Sequence, residues 1–478
     1  MRKHRSIQNI SLALLLTASL SSCEKLITAD EPTDTITTTR LFETDAKAEM
    51  AIAGVYNTMI HGTGQNTYSA ALGSFAAGLA SVAGGYAAGE LINFNTVGNA
   101  NEYVLVTSKL TANNSTIPRS LWTSCYTAIY NANTVIEGIA ASTSPKLSDS
   151  VRKEITAEAK FLRAFSYFYL VNFFGELPIA LSGDFNNTAN LSRSSVQEVY
   201  KQIVSDLKDA EAGLAADYSV GRGKRVRVNK YAAIALMARV HLFLGEYELA
   251  AARASDVINH TTLYNLEPNV DDVFRTTSKE AIFQLMQTEK DNVLRNATPF
   301  GYYIENYPLQ PEVLDLFEAG DLRKQFWTRG NTYVNKYTIN SANAVLGVPA
   351  REYFMALRLG ELYLIRAEAR ANGAAGGLPS AVQDLNELRR RADIDELDET
   401  LGENDVKAAI EKERQTELFA EWGSRWLDLK RTGKALQVLK AMPLKQPWDG
   451  DHQLLFPIPP EEMTNNNRLV QYPGYTLR

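Results

Sequence analysis

Cysteine is nearly absent from this 478-residue chain, which has only Cys23 and Cys125. No disulfide framework can therefore hold the fold. Stability has to come from a large apolar core, and 45% hydrophobic residues in a chain of this length are ample for one. The usual catalytic signatures are missing too. None of the five histidines is followed by glutamate, which excludes His-Glu-x-x-His, and Gly-x-Ser-x-Gly does not occur. Neither the dinucleotide fingerprint nor the P-loop pattern is present, so the Gly/Ala-rich stretch from Gly62 to Ala100 (including GSFAAGLASVAGGYAAGE) is not a nucleotide loop. Positive charge is in deficit, with a net charge of −6, and an acidic surface repels nucleic acid. No run rich in Pro, Gly or Ser interrupts the middle of the chain, so nothing forces a division into the two or three domains that length alone would permit.

What is abundant is aromatic and apolar density in one place. In EAKFLRAFSYFYLVNFFGELP, Glu158 to Pro178, no charge follows Arg163 until Glu176, and Phe165, Tyr167, Phe168, Tyr169, Leu170, Val171, Phe173 and Phe174 cover every side of a helical wheel. A helix that is apolar all round must be enclosed. The uncharged run is shorter than the roughly 20 residues that cross a bilayer, so other protein segments must enclose it. Gly175 can take the left-handed conformation that closes a helix, and Pro178 prevents its resumption.

The chain begins with Arg2, Lys3 and Arg5, then a short apolar run from Ile10 to Leu20, then Leu20-Ser21-Ser22 before Cys23. This is the pattern of a bacterial lipoprotein signal, with residues 1–22 removed and Cys23 acylated. Removal of the three basic residues leaves 46 basic against 55 acidic, a net −9. Residues 23–39, rich in Thr and Asp, read as a flexible tether, and 40–478 as the folded unit, with a helical part at 40–262 and a part at 263–478 that holds irregular loops and the last helical repeats.

Helical spacing is clear at 40–60, with Ala48, Ile52, Val55, Tyr56 and Met59, and from Trp122 to Ile136, where Trp122, Tyr126, Ile129 and Tyr130 form the apolar side. Asn131 and Asn133 within that helix are expected to make buried contacts. A serine caps Val196 to Leu214, and Asn229 caps Lys230 to Gly245. The basic stretch from Gly221 to Arg227 reads as a solvated loop. ALMARVHLFLGEYELAAARA and LRLGELYLIRAEARANGAAGGLPSAVQDLNELRRRA each read as a tetratricopeptide-like helical hairpin, and such hairpins stack into curved arrays. Between them, from Tyr264 to Ala350, the periodicity breaks. Glu280 to Met286 reads as a strand, and Arg329-Gly330-Asn331 as a turn between two short strands. The small residues of 62–100 read as close packing with loops. The other reading is a ligand surface to which Tyr68, Tyr86 or Phe94 gives an aromatic face.

Glu413, Glu417 and Glu421 recur every fourth position, which raises a hydrolase as an alternative. Catalytic carboxylate pairs converge across a cleft and not along one helix. With Lys412, Arg414 and Arg425 close by, the three glutamates read as a structural charge network.

Seven separated motifs occur in order: WTSCYTAIYNANTVI, EAKFLRAFSYFYLVNFFGELP, RSSVQEVY, RVNKYAAIALMARVHLFLGEY, LRLGELYLIRAEARAN, ERQTELFAEWGSRWLDLKRTG and FPIPPEEM with a final PGY. In these the chain resembles the RagB/SusD family over nearly its whole mature length. The resemblance implies a mainly α SusD-like fold: a tetratricopeptide-like scaffold with a loop-rich, partly β remainder. It implies an outer-membrane lipoprotein facing the exterior that does no chemistry and needs no cofactor. Its ligand would be an oligosaccharide or a peptide, and its partner a SusC-like TonB-dependent β-barrel over which it sits as a capturing lid. Starch-binding relatives use tryptophan in the corresponding loops, whereas here no Trp precedes Trp122. The candidate stacking groups are Tyr86, Tyr302, Tyr303, Tyr307 and Trp448, beside Tyr68 and Phe94. A helical-repeat adaptor for other proteins is the alternative of a different class.

Overall fold

A computed structural model describes residues 41–62, 74–93, 100–286, 307–338 and 351–475. The proposed signal, Cys23 and the tether lie outside these residues.

Within them the chain is mainly helical. The first elements are α1 (Asp45–His61), α2 (Leu79–Ala88), α3 (Thr116–Ala141), α4 (Asp149–Phe174) and α5 (Val196–Gly213). They are followed by α6 (Lys230–Phe243) and α7 (Tyr247–Ile258), then by strands β1 (Ala281–Leu285), β2 (Thr328–Arg329), β3 (Tyr333–Val334) and β4 (Phe354–Arg358). The chain then returns to helix in α8 (Leu359–Ala371), α9 (Gly377–Arg391), α10 (Glu403–Leu418) and α11 (Ser424–Arg431). Consecutive helices pack as neighbours: α3 on α4, α4 on α5, α5 on α6, α6 on α7, α7 on α8 and α8 on α9. This is the stacked-hairpin array that the two repeat signals predict.

The apolar helix is α4, and it is enclosed. Ser148 caps its start and accepts from the Val151 amide, and every residue from Phe161 to Val171 is buried. Gly175 ends it at φ 74°, its N–H donating to Val171 O. Each large apolar side chain there is worth about 1.5–3 kcal/mol of burial. The two charges at its edge are neutralised. Glu158 accepts from Tyr56 Oη at 2.7 Å and from Arg227, and Arg163 grips Asp206 at 2.7 and 2.9 Å.

Ser195 and Glu198 form a reciprocal capping box at the start of α5, and Asn229 caps α6. Asn133 is buried as expected, donating to Ala180 O and Ser182 O and accepting from Arg163 at 2.7 Å. Asn131 stays half-buried. Tyr130, expected on the apolar side of α3, is instead 54% exposed.

The predicted strand is β1, paired antiparallel with β4 so that Ala281 faces Arg358 and Leu285 faces Phe354. β2 and β3 form the expected hairpin, with Gly330 and Asn331 both at positive φ in its tight turn.

Small residues in α2 allow backbone contact. A Cβ on Gly84 would lie 2.4 Å from Gly423 Cα, which places the turn after α10 directly on α2. That turn holds Ala420 and Trp422 at φ 56° and 52°, a costly conformation for non-glycine residues. The Ala420 amide donates to Glu90 Oε2 at 2.9 Å and the Trp422 amide to Ser81 Oγ at 2.6 Å, which hold it there. Close packing is therefore the correct reading of residues 79–88, and all of them are buried. A single apolar cluster runs from Phe42 to Tyr475, with a smaller one shared by α8, α9 and α10.

Candidate ligand-binding surface

Of the aromatic candidates, Tyr68, Phe94, Tyr302 and Tyr303 lie outside the described residues. Of the other three, Tyr86 and Tyr307 meet at the C-terminal end of α2. Tyr86 and Tyr307 pack edge to face with centroids 5.7 Å apart. They are 0% and 6% exposed, so neither offers a ring face to a ligand, contrary to the expectation for both. An aromatic ring in a helix of Ala and Gly is the largest group available to fill the space around it, which is why Tyr86 turns inward. Burial, with Glu102 adding to it, raises the Tyr86 hydroxyl far above the ordinary phenol range.

Trp448 is half-buried and its indole N–H donates to Asp451 Oδ1 at 3.1 Å. Its segment is fastened to the same corner by Lys445. The Lys445 ammonium, 1% exposed, donates to the carbonyls of Tyr86 and Val106 and to Ser108 Oγ at 3.0–3.2 Å. Burial lowers this lysine to about 7. Gln453 adds a reciprocal pair of bonds to the Leu110 backbone. The backbone enters residues 94–99 and leaves residues 287–306 side by side here, since the Ile92 amide donates to Pro308 O at 2.8 Å and the Gln310 amide to Glu90 O at 2.9 Å. The fold thus brings Lys445, three residues before Trp448, and the chain ends at Ile92 and Pro308 to one corner, where Tyr86 and Tyr307 are buried.

The glutamate triad is a buried ion cluster. Glu413 and Glu417 are 1% and 0% exposed. Glu417 accepts from Arg391 and Arg358 at 2.6 Å and from Arg323 at 3.2 Å, and Glu413 from Arg389 at 2.6 Å and Arg323 at 2.8 Å. Glu421 accepts from Arg358 at 2.9 Å and Lys336 at 2.5 Å. The network reading is right, but its partners differ from those expected: Lys412 pairs with Glu318, Arg414 with Asp428 and Arg425 with Glu411. Burial alone would raise the Glu417 carboxyl, yet Arg391, Arg358 and Arg323 hold it well below the ordinary carboxylate range. A carboxylate so enclosed cannot reach a substrate. Among the described residues no group of three or more His, Cys, Asp or Glu is placed to hold a metal ion.

The basic stretch from Gly221 to Arg227 is a solvated loop only in part: Arg222, Gly223 and Lys224 are exposed, whereas Arg225 and Arg227 turn inward. Arg225 lies over the rings of Tyr218 and Tyr264 and donates to Leu263 O at 2.7 Å, while Arg227 binds Glu158 and Glu49. Both are fastenings of the core. Tyr472 likewise has a structural place, donating to Glu176 O at 2.6 Å beneath Arg193.

Two family models match. One, described as starch-binding and associating with the outer membrane, covers residues 74–242, and the model of the SusD family covers residues 214–475. SusD-like protein P2 of Formosa agariphila is 26% identical over 423 residues, which is 74% of this chain and 80% of that protein. Two solved structures share the fold. A laminarin binding SusD-like protein is 23% identical with a TM-score of 0.72, covering 91% of this chain and 100% of its own. Surface glycan-binding protein A from Bacteroides thetaiotaomicron, solved with laminarihexaose, is 20% identical with a TM-score of 0.72, covering 90% of this chain and 99% of its own.

Proposed function

Because this chain belongs to the SusD family, we propose that it captures a glycan at the outer membrane and passes it, chemically unchanged, to a SusC-like TonB-dependent β-barrel transporter. An oligosaccharide is favoured over a peptide as ligand. The observation that carries the reading is the corner at the end of α2, where Lys445, three residues before half-buried Trp448, binds the Tyr86 carbonyl close to the points at which the chain enters 94–99 and leaves 287–306. Aromatic faces backed by polar groups suit the alternating CH and hydroxyl surface of sugars. Contacts are assigned to Trp448 and to Tyr68, Phe94, Tyr302 and Tyr303.

In this reading residues 1–22 are removed, Cys23 carries the lipid, 23–39 spans from membrane to body, and 40–478 acts as one unit on the cell exterior. The continuous core from Phe42 to Tyr475 supports the last point.

Isothermal titration of the mature protein against laminarihexaose and a panel of other oligosaccharides and peptides tests the capture step. At least one saccharide should bind, and Trp448→Ala should weaken it about tenfold. Silence across the panel would overturn the reading. Pull-down from solubilised outer membranes should recover a large β-barrel, whereas soluble partners alone would favour the adaptor. Cys23→Ala should abolish incorporation of labelled palmitate.

A further inference from the structure

A second concavity lies away from that corner. Its volume is about 280 Å³, close to the lower end of small-molecule sites, and its lining comes from α3, from the segment 178–191 and from residues 462–469. None of Tyr86, Tyr307 and Trp448 contributes to it.

Its aromatic side is graded from buried to exposed. Trp122 is 2% exposed and packs on Tyr126 with centroids 4.8 Å apart, Tyr130 one turn further is 54% exposed, and Phe185, which also lines the cleft, is 75% exposed. Polar groups hold the frame rigid. Tyr126 Oη donates to Pro178 O at 2.7 Å, Asn133 to Ala180 O at 3.0 Å, and Asn466 to Leu191 O at 2.8 Å. Those amides are committed to the backbone. Glu462 is different: its carboxylate accepts a hydrogen bond from the Trp122 indole N–H, and among the described residues no lysine or arginine is paired with it, Arg119 being taken by Glu461 at 3.1 Å. Burial, with Glu461 next to it, raises that carboxyl. The exposed amide of Asn465 completes the rim.

The chemistry of this lining selects its ligand. A wholly apolar molecule would strip water from Glu462 and return no hydrogen bond, which is unfavourable. An anion would meet the Glu462 charge at close range. A neutral polyhydroxylated ring satisfies both sides, with its CH face against Tyr130 and Phe185 and its hydroxyls donating to the Glu462 carboxylate. We propose that the cleft between α3 and residues 460–470 is a second saccharide subsite, in which Tyr130 and Phe185 clamp a neutral sugar ring and Glu462 accepts its hydroxyls. It goes beyond the capture site proposed above and does not depend on which residues form that site. Two contacts on one polymer raise avidity without further interface, so long chains would be retained over short ones.

Hydrogen-exchange mass spectrometry of the mature chain with laminarihexaose, cellohexaose, maltohexaose, xylohexaose and mannohexaose tests this. At least one hexaose should protect residues 126–136, 181–191 and 460–470. Tyr130→Ala with Phe185→Ala should weaken that protection about tenfold in apparent affinity, and both side chains are exposed enough for the fold to survive. Glu462→Gln should weaken it independently, with thermal stability measured beside it. Protection confined to the Trp448 region would overturn this subsite while leaving the capture reading intact. Protection that survives in the double variant would overturn it too, as would protection that appears only when a co-purified membrane protein is present.

Discussion

Glu417→Gln removes one charge from the centre of the buried cluster while nearly preserving volume. In the native chain three guanidiniums converge on that carboxylate at 2.6–3.2 Å. In the variant each arginine keeps at least one other acidic partner: Arg391 keeps Glu280 at 2.6 Å, Arg358 keeps Glu421 at 2.9 Å, and Arg323 keeps Asp321 and Glu413, both at 2.8 Å. The loss is therefore not three full ion pairs. It is one uncompensated positive charge spread over three sites, together with an amide N–H facing donors. Breaking a buried pair by removing one member costs about 3–5 kcal/mol.

A folded unit of this size has an unfolding entropy near 1 kcal/mol per degree, so Tm should fall by about 3–5 °C at pH 7, with a matching shift in the urea midpoint. Lys407→Ala is the control. Its pair with Glu403 at 2.7 Å is exposed on one helix, and its loss should change stability by less than about 0.5 kcal/mol. Differential scanning calorimetry of both variants beside the parent decides the matter. A Glu417→Gln transition within about 1 °C of the parent would refute the claim that this buried cluster stabilises the fold.

Four further outcomes follow from the structure. Burial would raise the Asp428 carboxyl, but Arg414 and Arg431 hold it down to about 2, below the ordinary value of 3.8. Because its folded value is the lower one, the stabilisation is complete above about pH 4 and lost as pH falls through about 2, amounting to about 2 kcal/mol. Asp428→Asn should flatten the acid limb of a pH–stability profile over that window. Gly84→Ala would drive a Cβ to 2.4 Å from Gly423 Cα and should cost about 1–3 kcal/mol in urea unfolding. Gly54→Ala on the exposed side of α1, with nothing within 4 Å, should instead stabilise by about 0.5–1 kcal/mol. Cys125 is buried and burial raises its thiol, so in a Cys23→Ser background it should resist a disulfide reagent until denaturant is added.

Local signals in the sequence carried most of the scaffold. An all-apolar run admits only enclosure, and Ser195 with Glu198 spells a helix start within four residues. The Gly330-Asn331 turn needed no distant information either. Where partners come from far along the chain, spacing was silent. The face bearing Glu413 and Glu417 was legible, but its arginines arrive from the segment before β2, from β4 and from α9, so nearest-neighbour charges were the wrong guess. The same holds for Arg225 and Arg227, which read as a solvated basic loop until Tyr218, Tyr264 and Glu158 close around them.

The candidate surface failed in a more specific way. Residues four apart on a helix advance by roughly 40° per step, so Trp122, Tyr126 and Tyr130 sweep roughly 80° around α3. That rotation takes an aromatic line out of the core and leaves Tyr130 in solvent at the mouth of a cleft. Tyr86 went the other way, because Tyr307 packs edge to face on its ring at 5.7 Å and the ring is 0% exposed. Aromatic identity alone therefore cannot separate a platform from a plug. The cover supplied by segments distant in the chain decides, and here the segments beyond α3 leave Tyr130 uncovered while Tyr307 closes over Tyr86.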